Sequence, residues 1–204
     1  MDTPVSWTEV TAARRALIDV LSDALGDDDA RWNEPSLAAG WRVRDVLGHL
    51  VFLAEGTRRT VLGAVGRSMV RRPGGPDAAL ARIARSVGER SPSELLARLD
   101  AAADGQFVLP GLGPIAAVNE VVIHGLDALV PLDIEPPPVT EDQARAMTES
   151  MVRLWPGYSR ARRIRRFRIS PDDATWATGP VDGPPLGGST VSVLLTASGR
   201  LPLP

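Results

Sequence analysis

The segment NEVVIHGLDA, residues 119–128, carries three polar side chains in an otherwise apolar stretch. Glu120, His124 and Asp127 are spaced four and three residues apart, so on a helix they share one face within a sector of about 60°. A carboxylate and an imidazole beside apolar surface need a compensating partner. A divalent metal is one such partner, because imidazole nitrogen and carboxylate oxygen are ordinary ligands of Zn²⁺.

Two ligands make a weak metal site, and the sequence contains one other histidine, His49. It lies in VRDVLGHLVFLAEG, a second apolar segment with helical periodicity. In an antiparallel bundle the two helices can bring His49 toward Glu120 and His124. Three protein ligands leave one position open for water or substrate, as in catalytic zinc sites. The alternative is that both histidines are core or interface residues and that Glu120 forms a surface hydrogen bond.

Two further carboxylates lie beside these candidate ligands. For Asp127 we favour a role outside the metal, orienting His124 or bonding a loop backbone, over direct ligation. Asp45 precedes His49 by one turn, where it could orient that histidine or only complement the helix dipole. We expect Trp41 to pack at the start of the same helix rather than to bind a ligand.

The composition is that of an ordinary soluble globular protein, with 44% hydrophobic and 24% charged residues in a chain of 204. The formal net charge of −2 gives no strong attraction to nucleic acid or anionic lipid. The apolar segments are shorter than the roughly 20 residues of a membrane span, and no signal pattern is present, so we expect a cytoplasmic protein without membrane contact.

The sequence contains no cysteine. Disulfides, cysteine nucleophiles and thiolate metal ligands are therefore excluded. Any thiol chemistry would need a thiol supplied by a small molecule.

Four main helices are predicted in the first 130 residues, because apolar residues recur there every three or four positions. They cover residues 6–25, about 43–65, a weaker stretch of about 77–90 followed by a segment capped by Ser93, and 115 to about 130. Pro114 suits the first turn of the last of these helices.

A proline-rich connector, PLDIEPPPV at residues 131–139, marks a plausible domain boundary. We therefore predict a helical bundle over 1–130 and a small α+β domain over 140–204. In the latter, Thr140 is expected to cap a helix to about Leu154. RRIRRFRIS and DATWATG are expected to form a hairpin, and GGSTVSVLLTASGR suits either a capped helix or a strand.

Six arginines crowd the segment RARRIRRFR at residues 160–168. Such a run can contact phosphates. Because the net charge is slightly negative and no recognition motif accompanies the run, we interpret it as a solvated face and predict no nucleic-acid binding.

The two histidine segments also resemble a known family. PSLAAGWRVRDVLGHLVFL and NEVVIHGLDAL are similar to the two motifs of the mycothiol-dependent maleylpyruvate isomerase family, which belongs to the DinB-like four-helix bundles. The resemblance covers residues from about 5 to 130. It implies a mainly α fold and a divalent metal, usually zinc, held by His49, Glu120 and His124.

The C-terminal segment is similar to the small sterol-carrier-like domain that often follows this bundle. It ends at LPLP, soon after a Gly-Arg pair, so the domain is expected to be short. The resemblance makes Arg200 a possible contact for an anionic substrate or cofactor. Its alternative is an exposed helix end.

By this resemblance, the expected cosubstrate is mycothiol, a low-molecular-weight thiol activated as a metal-bound thiolate. The expected reaction is an isomerisation or a thiol S-transfer on a small electrophile, with no catalytic side chain identified. The partners would be these small molecules, and the protein a monomer or homodimer. The alternative is a non-catalytic DinB-like protein that binds a metal or ligand.

Overall fold

The computed structural model describes residues 5–72, 74–109, 111–154 and 163–204. These residues are mainly helical with little strand, so the predicted fold class is confirmed. They form two compact units: one spans Ser6–Pro137, and the other contains Val5 and the described part of 138–204.

The described residues of the larger unit are mainly helical, with one isolated β-bridge between Pro35 and Arg42. In chain order its helices are α1 (Trp7–Leu25), α2 (Asp29–Trp32), α3 (Val43–Ala54), α4 (Arg58–Arg71), α5 (Pro76–Gly88), α6 (Pro92–Ala101) and α7 (Pro114–Leu129). A single 3-10 turn, Val130–Leu132, follows α7.

The core of this unit is built mainly by α1, α3, α6 and α7. Each of them contributes fully buried aliphatic side chains, such as Leu21, Leu47, Leu99 and Leu129. Trp32 of the short helix α2 is also fully buried there. Burial of these apolar side chains is the main force that assembles the four helices.

The single helix predicted over residues 43–65 is wrong, because the structure has two helices, α3 and α4, in this range. Thr57 starts the second one: its hydroxyl accepts the Thr60 N–H at 3.2 Å, and the Thr60 hydroxyl accepts the Thr57 N–H at 2.8 Å. This reciprocal capping stabilises a new helix start. At Gly56, just before it, a Cβ atom would clash with Val61.

The cap of α6 is Ser91, so the prediction that Ser93 caps this segment is also wrong. The Ser91 hydroxyl accepts the Glu94 N–H at 3.2 Å. Pro92 occupies the first helical position, where its missing N–H costs nothing. Ser93 therefore lies inside the first turn.

The smaller unit contains α8 (Glu141–Leu154), β1 (Arg168–Ile169), β2 (Pro185–Leu186) and α9 (Thr190–Ser198). Thr140 caps α8 as predicted, since its hydroxyl accepts the Gln143 N–H at 3.3 Å. The last segment is a helix capped by Ser189, which settles the alternative of helix or strand.

The predicted hairpin is reduced to one antiparallel bridge, between Ile169 and Thr178. β1 pairs instead with β2, in parallel. Gly183 makes this possible, because a Cβ atom there would lie 2.9 Å from the Arg168 nitrogen. Part of the predicted arginine run, residues 160–162, lies outside the described residues.

Among the described residues, one helical segment, Pro114–Leu132, is long and apolar enough to span a membrane by length and composition alone. Of its most apolar window, 56% is buried inside the protein. Core helices of soluble proteins pass the same test, and α7 supplies part of the core of the larger unit.

Candidate metal centre

Helices α3 and α7 bring His49, Glu120 and His124 together. The Oε2 atom of Glu120 lies 3.1 Å from Nε2 of His49 and 3.4 Å from Nε2 of His124. Each of the three residues offers one ligand atom, and these atoms all lie within 4.8 Å of one another. The tertiary structure thus assembles the three side chains that the sequence singled out.

A glycine beside each histidine allows its helix to pack closely. A Cβ atom at Gly48 would lie 2.6 Å from the Ala84 carbonyl oxygen and 2.6 Å from the Gly88 nitrogen, so α3 and α5 meet backbone to backbone. On α7, a Cβ atom at Gly125 would lie 3.2 Å from a methyl carbon of Leu17. These contacts fix where each histidine-bearing helix lies, and no sequence pattern predicted them.

Asp127 orients His124. Its Oδ2 lies 2.9 Å from Nδ1 of His124, and the carboxylate is fully buried. We assign a ring proton to Nδ1, because a carboxylate can only accept, so a neutral His124 would present the lone pair of Nε2 toward Glu120. The N–H of Leu37 donates to the backbone carbonyl of Asp127 at 2.9 Å, and not to its carboxylate.

Asp45 serves the start of α3. Its carboxylate accepts the backbone N–H of Arg42 at 2.9 Å and two guanidinium hydrogen bonds from the same residue, at 2.8 and 3.1 Å. These bonds tie Asp45 to the residue that precedes α3, and its predicted role in orienting His49 stays a prediction. Arg200 lies in the smaller unit, where its guanidinium donates to the Ser198 carbonyl at 3.1 Å.

The three candidate ligands differ in protonation. Burial lowers the pKa of His49, and the carboxylate of Glu120 offsets only part of this effect. Burial alone would raise the pKa of Glu120, but hydrogen bonds to His124 and His49 outweigh it and hold that pKa well below its usual value. Without metal, a neutral His49 and an anionic Glu120 therefore face the site.

His124 behaves in the opposite way. Burial lowers its pKa, but hydrogen bonds to Asp127 and Glu120 outweigh burial and raise the pKa to about 9. The imidazolium therefore supplies the positive charge between two carboxylates when no metal is bound. A divalent cation can supply this positive charge after the imidazolium of His124 loses a proton.

The donor set fits a divalent metal such as Zn²⁺. Two imidazole nitrogens and one carboxylate oxygen converge, and the ring of His124 has a carboxylate behind it, as metal-binding histidines usually have. His49 differs, because its Nδ1 is buried and has no hydrogen-bond partner among the described residues. Apart from the contact of its Nε2 with Glu120, its orientation depends on packing.

Trp41 supplies that packing. Its ring lies edge to face against His49, with centroids 5.2 Å apart, and stacks on His124 at 5.8 Å with an interplanar angle of 7°. The two imidazoles themselves lie 4.7 Å apart. Trp41 packs at the start of α3 as expected, but no signal in the sequence indicated that this start lies beside both histidines.

Comparison with known proteins gives a related domain family and a related fold. Residues 10–106 match the model of the mycothiol maleylpyruvate isomerase N-terminal domain family. Two solved structures are similar over 97% of this chain and 90% of theirs, each with a TM-score of 0.57: the mycothiol-dependent maleylpyruvate isomerase, at 17% identity, and a histidine-to-alanine mutant of it, at 16%. At such identity they show the fold alone. No curated protein matches the chain.

Proposed function

Residues 10–106 belong to the mycothiol maleylpyruvate isomerase N-terminal domain family, and from this premise we propose that the protein is a metal- and mycothiol-dependent enzyme. Its reaction would be an isomerisation of, or a thiol S-transfer to, a small electrophilic molecule. The observation that carries the proposal is the convergence of His49, Glu120 and His124 within 4.8 Å.

We propose Zn²⁺ as the metal, held by these three side chains. A bound Zn²⁺ would act as a Lewis acid and lower the pKa of a thiol that reaches it. Three protein ligands would leave one coordination position open for such a thiol. The exposure of Glu120 supports access of a thiol to this position. Its side chain is 34% exposed, whereas those of His49 and His124 are 6% and 14% exposed.

The protein's own groups prepare this position. Asp127 holds the proton of His124 on Nδ1, so that Nε2 presents a lone pair to the site. Burial keeps His49 neutral, so its Nε2 can donate a lone pair to the metal once the ring proton lies on Nδ1. Glu120 contributes a negative charge, which partly neutralises a divalent cation and favours its binding.

The thiol must come from outside the chain, which contains no cysteine. The names of the family and of the two similar structures point to mycothiol as this cosubstrate. We place the protein in the cytoplasm, where thiols are kept reduced.

Metal analysis and calorimetry test the proposal. Purified wild-type protein is expected to bind one equivalent of Zn²⁺, whereas His124→Ala and Glu120→Ala are expected to lose it. Mycothiol should then bind the Zn²⁺-loaded wild type but not the metal-free protein. Equal metal content in all three proteins would refute the ligand assignment.

Turnover separates the enzyme from the non-catalytic alternative. Zn²⁺-loaded protein and mycothiol are incubated with a panel of electrophiles that includes maleylpyruvate, and both loss of free thiol and isomerised product are followed. An enzyme consumes thiol or forms product at a rate that the His124→Ala variant does not support. Mycothiol binding without turnover across the panel would favour a binding protein.

A further inference from the structure

Three aromatic rings meet at the candidate metal centre, and one of them carries no ligand atom for the metal. The indole of Trp41 contacts both imidazoles, edge to face on His49 and stacked on His124. We propose that Trp41 is a positioning residue that holds both histidines in their metal-binding orientation. This inference rests on the proposed function, because it assumes that these imidazoles are ligands.

The need for such a residue is greatest at His49. His124 is oriented by the hydrogen bond from its Nδ1 to Asp127, at 2.9 Å. Nδ1 of His49 has no hydrogen-bond partner in the described residues, although it is buried. Its Nε2 lies 3.1 Å from Glu120 Oε2, and the remaining restraint on the rotation of the ring comes from its contacts with the indole of Trp41 and the ring of His124.

The indole can act in this way only if its own backbone is fixed. The Trp41 carbonyl accepts the N–H and the hydroxyl of Ser36, at 2.9 and 3.0 Å, and the Trp41 N–H donates to the Ala38 carbonyl at 2.9 Å. These bonds close the loop that precedes α3.

The same loop is attached to the helix that carries two of the ligands. Leu37 donates its N–H to the backbone carbonyl of Asp127 at 2.9 Å. Trp41 also lies just before the start of α3, the helix that carries His49. One short loop thus connects Trp41 to both ligand-bearing helices. This loop helps to fix the distance of the indole from each of the two imidazoles.

Trp41 also packs against the apolar core, and a purely structural role makes a different prediction. Loss of core packing lowers the stability of the protein without changing the intrinsic affinity of a folded site for metal. If Trp41 positions the histidines, its loss must lower both the affinity of the folded protein for metal and the order of the imidazole rings. The two roles can therefore be separated by experiment.

The test compares three variants of the full chain with the wild type. Trp41→Met removes the ring but keeps apolar volume, and Trp41→Phe keeps a ring. Trp7→Met is the matched control, since Trp7 is a half-buried tryptophan at the start of α1. Co²⁺ serves as the metal, because its visible absorption reports both affinity and geometry.

We expect Trp41→Met to lower Co²⁺ affinity by about tenfold or more, the range seen when groups that orient metal ligands are removed. Trp41→Phe is expected to stay within about threefold of the wild type, because an aromatic face on His124 remains. Trp7→Met should bind as the wild type does. Wild-type affinity in folded Trp41→Met, or an equal loss in Trp7→Met, would overturn the proposal.

A second measurement needs no metal. The chain has two histidines, so their ring proton resonances are readily assigned by NMR. In the metal-free wild type, the ring proton resonances of both histidines should be shifted by the ring current of the indole. They should also show contacts to Trp41. In Trp41→Met, the His49 resonances should broaden or double as the ring samples other rotamers.

The two proposals can fail separately. A wild type that binds neither Zn²⁺ nor Co²⁺ would refute the proposed function. Sharp, single His49 resonances with unchanged contacts to its other neighbours in Trp41→Met would refute the positioning role, whether or not metal binds. If Trp41→Met does not fold, Trp41→Leu replaces it in both measurements.

Discussion

Asp127 and His124 form a carboxylate–imidazole pair on one face of α7, with Oδ2 and Nδ1 2.9 Å apart. The pair lies one turn beyond Glu120, whose Oε2 is 3.4 Å from the other ring nitrogen of His124. One imidazole therefore bridges a fully buried carboxylate and a partly exposed one. Its protonation and its orientation are coupled to both.

Asp127→Asn should weaken Zn²⁺ binding by about 10–100-fold. The amide lacks the negative charge, and it can turn its NH₂ group toward Nδ1, which moves the imidazole proton to Nε2 and removes the lone pair from the site. Competition with a chromophoric chelator measures the affinity. Asp19→Asn, at an exposed position on α1, is the control, and equal losses in the two variants would contradict the assigned role.

Zn²⁺ should stabilise the folded protein by about 2.7 kcal/mol when its free concentration is 100 times its dissociation constant. Equilibrium urea unfolding with and without the metal measures this gain. His49→Ala is expected to lose most of it, because one of the three ligands is gone. A His49→Ala protein that keeps the full gain would show that the metal binds elsewhere.

The metal-free protein should lose stability as the pH rises through about 9. The pKa of His124 is raised to about 9 in the folded protein, above the ordinary value of about 6.5. Its contribution to stability is therefore complete below about pH 6.5 and disappears as the folded form loses its proton. Urea unfolding from pH 6 to 10 measures the trend, and His124→Gln should show a flatter profile. Equal slopes would contradict the raised pKa.

Zn²⁺ affinity should change with pH in the opposite sense. His124 must lose its proton to bind a metal, so the apparent affinity should rise by about tenfold for each pH unit below the pKa of His124. Titrations at pH 6.5, 7.5 and 8.5 measure the slope. An affinity that does not change over this range would mean that metal binding displaces no proton from a ligand.

Gly48→Ala should destabilise the protein by about 1–3 kcal/mol, as overpacking of a close contact does. The added methyl would lie 2.6 Å from backbone atoms of α5, so α3 must shift, and Zn²⁺ affinity should fall because His49 moves with it. Gly66→Ala is the matched control. It meets no atom within 4 Å and should stabilise α4 by about 0.5–1 kcal/mol. Similar losses in both variants would rule out the close helix contact as the cause.

Predictions that depend on residues close together in the chain succeeded most often. The helices that begin near Ser6, Pro114 and Thr140 were predicted from caps and periodicity, and the structure has them. The break at Gly56 was missed because apolar spacing continues across it, while the cap at Thr57 depends on a threonine pair rather than on the usual Ser/Thr and Glu pattern. Caps and breaks of this kind are decided by a few hydrogen bonds.

For the candidate site, the sequence by itself determined the ligand types, the common face of Glu120, His124 and Asp127, and the absence of any thiol in the chain. Helical periodicity alone sets that face. Only the tertiary structure decided that His49, 71 positions before Glu120, lies 3.1 Å from it, and that Trp41 touches both imidazoles. Such distances depend on how closely the helices pack at positions such as Gly48 and Gly125, and no local pattern encodes the separation of two helices that are distant in the chain.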